Sequence, residues 1–251
     1  MIGVLLGACA HNVQTTSGAQ YLQRYHDQVA GTAPAAMSPE ILAAASVEPI
    51  LRFPARIGVA RVEDGRLSPM PQAEAETWLA TARTLGPGFG EFVPVSPLVT
   101  ALASPASRRS DDCRFAGCID QTVREIRLGA ARQHLDVVLI YEVAGRDRSS
   151  SNPLAVTKLV LIGFFLPSES VRADGVAQAM LVDVRNGYTY GFASATADNA
   201  ASALSSTSNS RETYRDVAAE AKAAAVTKLA AEVEKMALRL RAELAEVRTA
   251  R

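Results

Sequence analysis

Three cysteines carry the most distinctive side-chain chemistry in this sequence. Cys9 lies near the N-terminus, and Cys113 and Cys118 enclose the four residues of the segment CRFAGC. A thiol can accept a lipid, pair in a disulfide or ligate a metal ion, and its compartment and neighbours decide which of these occurs. The surroundings of each cysteine therefore indicate where the chain resides.

Cys9 ends the tetrapeptide Leu6-Gly7-Ala8-Cys9, which resembles the lipobox of bacterial lipoproteins. In that motif small residues fit the pocket of a signal peptidase, and the cysteine becomes the N-terminus and carries a diacylglycerol. Only eight residues precede Cys9, and none of them is Lys or Arg, so the preceding segment is shorter than a usual signal peptide. The alternative is an incidental cysteine in a frayed terminus. We expect Cys9 to be lipidated and to anchor the chain to a membrane.

The residue after Cys9 and the other two cysteines bear on the compartment. Ala10 stands where proteobacterial lipoproteins retained at the inner membrane carry an aspartate, so this resemblance implies the periplasmic face of the outer membrane. In that oxidising compartment Cys113 and Cys118 are expected to form a disulfide. Free thiols are the alternative, and a metal site is disfavoured because no other cysteine or histidine lies near them in sequence.

Composition and motifs indicate a protein that is not an enzyme. Lys+Arg and Asp+Glu both number 26, so no excess of basic residues favours nucleic-acid binding. The sequence contains no G-x-S-x-G, H-E-x-x-H, P-loop or G-x-G-x-x-G motif. Its three histidines, His11, His26 and His134, are scattered. We therefore expect no catalytic residues, no metal and no cofactor.

Hydrophobic periodicity predicts the elements that position these residues. Strands are predicted over residues 55–63, 91–97, 136–143, 155–166, 175–185 and 188–195, and helices over residues 70–85, 118–134 and 209–247. The order β-α-β-α-β-β-β-β-α predicts an α+β fold, with a mixed β-sheet, helices packed on one face and a long C-terminal helix. The strand at 136–143 is expected to be central because its start is nearly continuously apolar.

The last two predicted strands form the main candidate binding surface. Asn186-Gly187 predicts a two-residue hairpin turn between them. With that turn, one face of the hairpin carries paired charges and aromatic rings: Asp183, Arg185, Tyr188, Tyr190 and Phe192. Such a face can bind a peptide, a glycan or a protein partner. The alternative is a face covered by a helix or by solvent.

The sequence divides into four parts. Residues 1–8 are the remainder of a signal segment, and residues 9–50, rich in Ala, Gln and Thr, are expected to be a lipid-anchored flexible linker. Residues 51–208 form the α+β domain, and residues 209–251 a helix that packs on the domain and extends from it. No apolar run reaches the roughly 18 residues that a transmembrane helix needs.

Four segments together resemble the bacterial rhombotarget lipoprotein family: ARIGVARVE, LGAARQHLDVVLIYEV, KLVLIGFFLP and AMLVDVRNGYTYGFASATAD. More distantly, their pattern is similar to the periplasmic lipoprotein fold of CsgG, LpoB and the N-terminal domain of TolB. The resemblance covers about residues 52–245 and includes Asp136, the run 163–167 and the spacing of Asp183 and Gly187. It implies an accessory or partner-binding module of the cell envelope with an envelope protein partner. The alternative is a homo-oligomer, as a subunit of a CsgG-like secretion or assembly complex.

Overall fold

The computed structural model describes residues 10–29, 37–103, 119–145, 175–197 and 210–249, and it describes the side chains of the last range from residue 219 onward. Cys9, Cys113 and Cys118 lie outside the described residues, as does the predicted strand at 155–166. Their lipidation, pairing and strand structure therefore stay predictions.

Seven strands and six helices make up the described part of the chain. The strands are β1 (Ala10–Val13), β2 (Ala55–Glu63), β3 (Arg66–Ser68), β4 (Gly90–Pro94), β5 (Val137–Gly145), β6 (Gly175–Asp183) and β7 (Thr189–Ala197). The helices are α1 (Gly18–Val29), α2 (Pro39–Ala45), α3 (Gln72–Leu85), α4 (Pro97–Ala103), α5 (Ile119–Arg132) and α6 (Ser210–Thr249).

All seven strands belong to one mixed sheet, ordered β1-β7-β6-β5-β2-β3, with β4 also paired to β2. Strands β4 and β5 run parallel to β2, and the remaining pairs are antiparallel. The predicted α+β class is confirmed, and β5 is central because β2 and β6 flank it. Asp64 and Gly65 both have positive φ, as a tight turn between β2 and β3 requires.

Helices cover both faces of the sheet, whereas the sequence predicts helices on one face. On one face α3 and α6 bury Trp78 and Leu229 against side chains such as Leu139. On the other face α5 buries Ile126 and Ala130 against side chains such as Ile140. Helices pack on both faces because the side chains of β5 are apolar from Val137 to Tyr141. Successive side chains point to opposite faces, so both faces carry apolar surface that must be buried.

Helix α6 lies along the sheet through most of its length. Its buried side chains recur at helical spacing: Ala221, Ala225, Leu229, Val233, Met236, Leu240 and Leu244. The sequence leaves open whether the second half projects or packs, and the structure shows that it packs. At Gly175 the strand backbone approaches the helix so closely that an added Cβ would lie 2.4 Å from the carbonyl oxygen of Ala221.

The described part of residues 9–50 is structured, which corrects the prediction of a flexible linker there. Strand β1 extends the sheet by pairing Ala10 with Ser194 and Val13 with Gly191. Ser38 caps α2 by accepting a hydrogen bond from Ile41 N at 3.4 Å. The polar sequence of β1 has no strand signal of its own, and its partner strand lies far along the chain. None of the described helices is long and apolar enough to span a membrane.

Candidate functional site

The hairpin that carries the predicted binding residues is confirmed, but its turn is longer than predicted. Asp183 N donates to Tyr188 O at 2.8 Å, and Gly187 N donates to Asp183 O at 3.0 Å, so four residues form the loop. Val184 is buried, and its N–H donates to Asp136 O at 3.0 Å, which draws the chain toward the start of β5. Gly187 supplies the positive φ that this loop needs.

A shift in the register of β6 and β7 separates Phe192 from the other four residues. Leu181 pairs with Gly191, but Val182 pairs with Thr189, which leaves one extra residue in β7. Gly191 faces Met236 of α6, and Ala193 is buried in the same core cluster. Phe192 lies between them in the strand and therefore points to the opposite face of the sheet. The prediction of one face that includes Phe192 is wrong for this reason.

Asp183 is the fully buried centre of the remaining site. Its Oδ1 accepts hydrogen bonds from Arg185 N at 2.9 Å and Arg185 Nε at 3.2 Å. Its Oδ2 accepts from Arg185 Nη2 at 3.1 Å and from Tyr190 OH at 3.1 Å. Hydrogen bonding to Asp183 raises the pKa of Arg185, so the guanidinium keeps its charge across the physiological pH range.

The hydroxyl of Tyr190 connects Asp183 to the segment that precedes β2. It accepts hydrogen bonds from Leu51 N at 2.8 Å and Ile50 N at 3.0 Å while it donates to Asp183. Burial, together with the Asp183 charge, raises the pKa of Tyr190 well above the ordinary value of a phenol. The hydroxyl therefore keeps its proton, and its single donor and two acceptor positions are all in use.

Two further side chains of the loop hold the N-terminal part of the chain. Tyr188 OH donates to Thr16 O at 2.7 Å, and Asn186 Nδ2 donates to Glu48 O at 2.7 Å. The rings of Tyr188 and Tyr190 are 4.9 Å apart and both are buried. The prediction that this face is open to a binding partner is therefore wrong, because residues 14–16 and 48–51 of the same chain already occupy it.

A second buried polar cluster, which we call the Arg61 cluster, consists of Arg61, Glu63, Glu74 and Tyr141. Arg61 Nε donates to Glu74 Oε2 at 3.1 Å, and Arg61 Nη1 donates to Glu63 Oε2 at 2.8 Å. Tyr141 OH donates to the same Glu74 oxygen at 2.6 Å. These partners lie on β2, α3 and β5, so the cluster fixes α3 over the sheet. Sequence reasoning missed it; the signal was Arg61, a charge that follows the apolar run 57–60 of β2.

Glu142 is the most perturbed carboxylate among the described residues. It is buried on the α5 face of the sheet, between Val62 and Gln178 in the strand register. Burial, and to a smaller extent the charge of Asp64, raise its pKa from 4.5 to about 7. The Oε1 atom of Gln178 is buried and has no hydrogen-bond partner among the described residues. Nothing in the sequence marks Glu142, since one acidic residue in a strand is unremarkable before its cover is known.

These clusters are arranged for holding structure rather than for exposing a reactive group. The oxygens of Asp183 and Tyr190 are saturated by groups of the same chain, and the Arg61 cluster pairs its buried charges internally. Within the described ranges no group of three His, Cys, Asp or Glu side chains could hold a metal ion. The hydrogen bonds of these two clusters attach one chain segment to another.

Comparisons with known proteins give only remote likenesses. No protein-family model and no curated protein matches the chain. A solved PelC dodecamer from Paraburkholderia phytofirmans is 13% identical, with 89% of this chain and 97% of that chain covered and a TM-score of 0.29. A variant of the same dodecamer is 15% identical over 72% of this chain and 93% of that chain, with a TM-score of 0.28. At such low scores we draw nothing from PelC about this chain.

Proposed function

We propose that this chain is a non-enzymatic lipoprotein of the bacterial envelope, anchored through Cys9 and acting as an accessory or partner-binding module in the periplasm. The observation that carries the proposal is the lipobox-like Leu6-Gly7-Ala8-Cys9 immediately before the first strand of the fold. A diacylglycerol with a further acyl chain is a stable anchor, whereas one chain alone binds only marginally.

The described site supports the non-enzymatic part of this proposal. Three buried polar groups of the two clusters, Asp183, Tyr190 and Glu74, are hydrogen-bonded to other parts of the same chain. A reactive residue needs space for a substrate beside it, and these atoms have their partners already. Their arrangement is that of a rigid module whose function depends on its outer surface.

Exposed apolar side chains support the partner-binding part. Leu98 and Leu102 of α4 are 78% and 75% exposed, one helical turn apart, while Thr100 between them packs against Gly129 of α5. Two leucines on one side of a short helix give a partner an apolar contact. Under this proposal that partner is an envelope protein. The alternative, a subunit of a homo-oligomeric secretion or assembly complex, would use a second copy of the chain instead.

The first experiment is intact mass spectrometry of full-length protein from the native membrane fraction, crosslinked before solubilisation. We expect a chain that begins at Cys9 and carries acyl groups, and a Cys9→Ser variant that loses them and leaves the membrane fraction. An unmodified chain beginning at Met1 in the soluble fraction would overturn the proposal. A crosslinked product with one other protein favours the accessory module, whereas a ladder of chain multiples favours the homo-oligomer.

Leucine substitutions test the partner surface in the same membranes. We expect Leu98→Lys with Leu102→Lys to abolish the crosslinked product without changing acylation. Leu79→Lys, at another exposed leucine on α3, is the matched control and should leave the product intact. Equal crosslinking in the parent protein, the double variant and the control variant would exclude α4 from the contact with the partner.

A further inference from the structure

We infer that the lipid bilayer lies directly against the β1 edge of the sheet, so that the domain is held on the membrane surface rather than tethered at a distance. This inference rests on the proposed acylation of Cys9. Strand β1 begins at Ala10, the next residue, which pairs with Ser194 of β7. Because consecutive Cα atoms are about 3.8 Å apart, an acylated Cys9 cannot move far from this strand.

The β1 strand and the residues after it are fixed by contacts along their whole length. His11 Nδ1 lies 2.9 Å from Glu232 Oε2, and Gln14 N donates to Tyr190 O at 2.8 Å. Thr15 Oγ1 donates to Glu243 Oε2 at 3.3 Å, further along α6. The segment therefore runs beside α6 and β7 in a defined position, and a lipid attached to Cys9 is one residue away from it.

The charges beside β1 suit a surface of anionic lipid headgroups. Lys228 and Lys235 are exposed on the side of α6 next to β1, where Lys228 Nζ donates to Thr196 O at 3.1 Å and Lys235 Nζ donates to Glu232 at 2.7 Å. Burial alone would raise the pKa of Glu232, but hydrogen bonds from Lys235 and His11 lower it below its ordinary value. The acidic group closest to β1 is thus buried and paired with Lys235, while Lys228, which donates to a backbone carbonyl, adds positive charge beside β1.

The test uses a fluorophore at one of two exposed positions in the acylated full-length protein. Ala224→Cys places it on α6, one turn before Lys228, and Thr84→Cys places it at the end of α3, which lies on the same face of the sheet and contacts β4, the partner of β2. Strands β1 and β2 are four spacings apart, or about 20 Å. Both variants also carry Cys113→Ser and Cys118→Ser, so that a single thiol is labelled.

Vesicles of phosphatidylethanolamine and phosphatidylglycerol that contain a headgroup-attached quencher report which label is near the bilayer. We expect quenching several-fold greater at Ala224→Cys than at Thr84→Cys. A Gly-Ser insertion of about 20 residues between Cys9 and Ala10 leaves β1 in place but restores a tether of roughly 25 Å, and should remove the difference.

Each outcome separates the two claims. Equal quenching of both labels in protein shown by mass to be acylated would overturn the held orientation and leave the lipoprotein proposal standing. The held orientation would also be overturned if the insertion left the difference in quenching unchanged. In that case the short link between Cys9 and β1 would not determine how close the domain lies to the bilayer. Absence of acyl groups on Cys9 would instead refute the proposed function itself.

Discussion

At the scale of single residues, the hydrogen-bond capacity of Tyr190 explains why the hairpin surface is closed. One hydroxyl donates to a buried carboxylate and accepts from two successive backbone N–H groups, Ile50 and Leu51. Burying either partner without the other would leave a polar group desolvated, so the chain before β2 and the β6–β7 hairpin depend on each other.

Tyr190→Phe should therefore destabilise the protein by about 2–3 kcal/mol, because both backbone donors and Asp183 lose a buried partner. The unfolding free energy from urea denaturation measures this loss. The segment around residues 48–51 should also be cut faster in limited proteolysis. Tyr21→Phe, at a half-exposed tyrosine of α1, is the matched control and should stay within about 0.5 kcal/mol of the parent. Similar losses in both variants would contradict this account.

Glu142 should make stability fall as the pH rises. Its pKa in the folded state is raised from 4.5 to about 7, so the folded protein binds this proton more tightly than the unfolded chain. The contribution of this proton to the free energy of unfolding is about 3 kcal/mol. It is fully present below pH 4.5 and is lost as the pH rises through 7.

Urea denaturation of the parent and of Glu142→Gln at pH 5 and pH 8 isolates this effect, since all other groups titrate alike in both. We expect the stability difference between the two proteins to shift in favour of the variant at the higher pH. A difference that does not depend on pH would show that Glu142 titrates normally.

At the scale of elements, the position of α6 depends on the spacing of its apolar residues, which places them on one side of the helix, rather than on how many it contains. Its side chains alternate between burial and exposure over very short sequence distances, as Leu240 and Leu238 show: the first is 0% exposed and the second 51%. The same spacing places the helix across β5, β6, β7 and β1. The helix therefore ties the N-terminal strand to the central strand.

These two leucines give a matched pair of substitutions. Leu240→Ala should cost about 2–5 kcal/mol, because it opens a cavity between α6 and the sheet. Leu238→Ala should change the unfolding free energy by less than about 0.5 kcal/mol. Thermal or urea unfolding of both variants checks the assignment, and a comparable loss at Leu238 would mean that its face is also covered.

At the scale of the whole molecule, the N-terminal segment is part of the fold. It supplies an edge strand of the sheet and covers the hairpin, and both contacts join residues that are far apart in sequence. Without β1, strand β7 would become the edge of the sheet and its backbone groups on that side would be unpaired. Such an edge pairs readily with another chain.

A chain that begins at Gly18 should consequently be less stable than one that begins at Ala10 by at least about 2 kcal/mol. It should also self-associate more readily, because the β7 edge is uncovered. Urea unfolding and light scattering of the two purified chains provide the measurements. If the two chains unfold and scatter alike, β1 does not contribute to the fold.

Local sequence patterns determined most of the secondary structure. Strand β2 was predicted with its observed bounds, and the central position of β5, the β6–β7 hairpin and the long α6 all follow from the spacing of apolar residues and from Asn186-Gly187. Periodicity is a property of neighbouring residues, so it can be recognised without knowing the fold. The lipobox-like motif at Cys9 is local in the same way.

Only the tertiary structure decided what covers each surface. The docking of β1, the closure of the surface around Asp183, the burial of Glu142 and the helices on both faces depend on segments that meet from distant parts of the chain. A polar strand such as Ala10–Val13 gains its stability from the edge it joins, and a hydroxyl such as that of Tyr190 gains its role from backbone groups 139 and 140 positions away. No local pattern contains those pairings, because their free energy arises only when both partners are brought together.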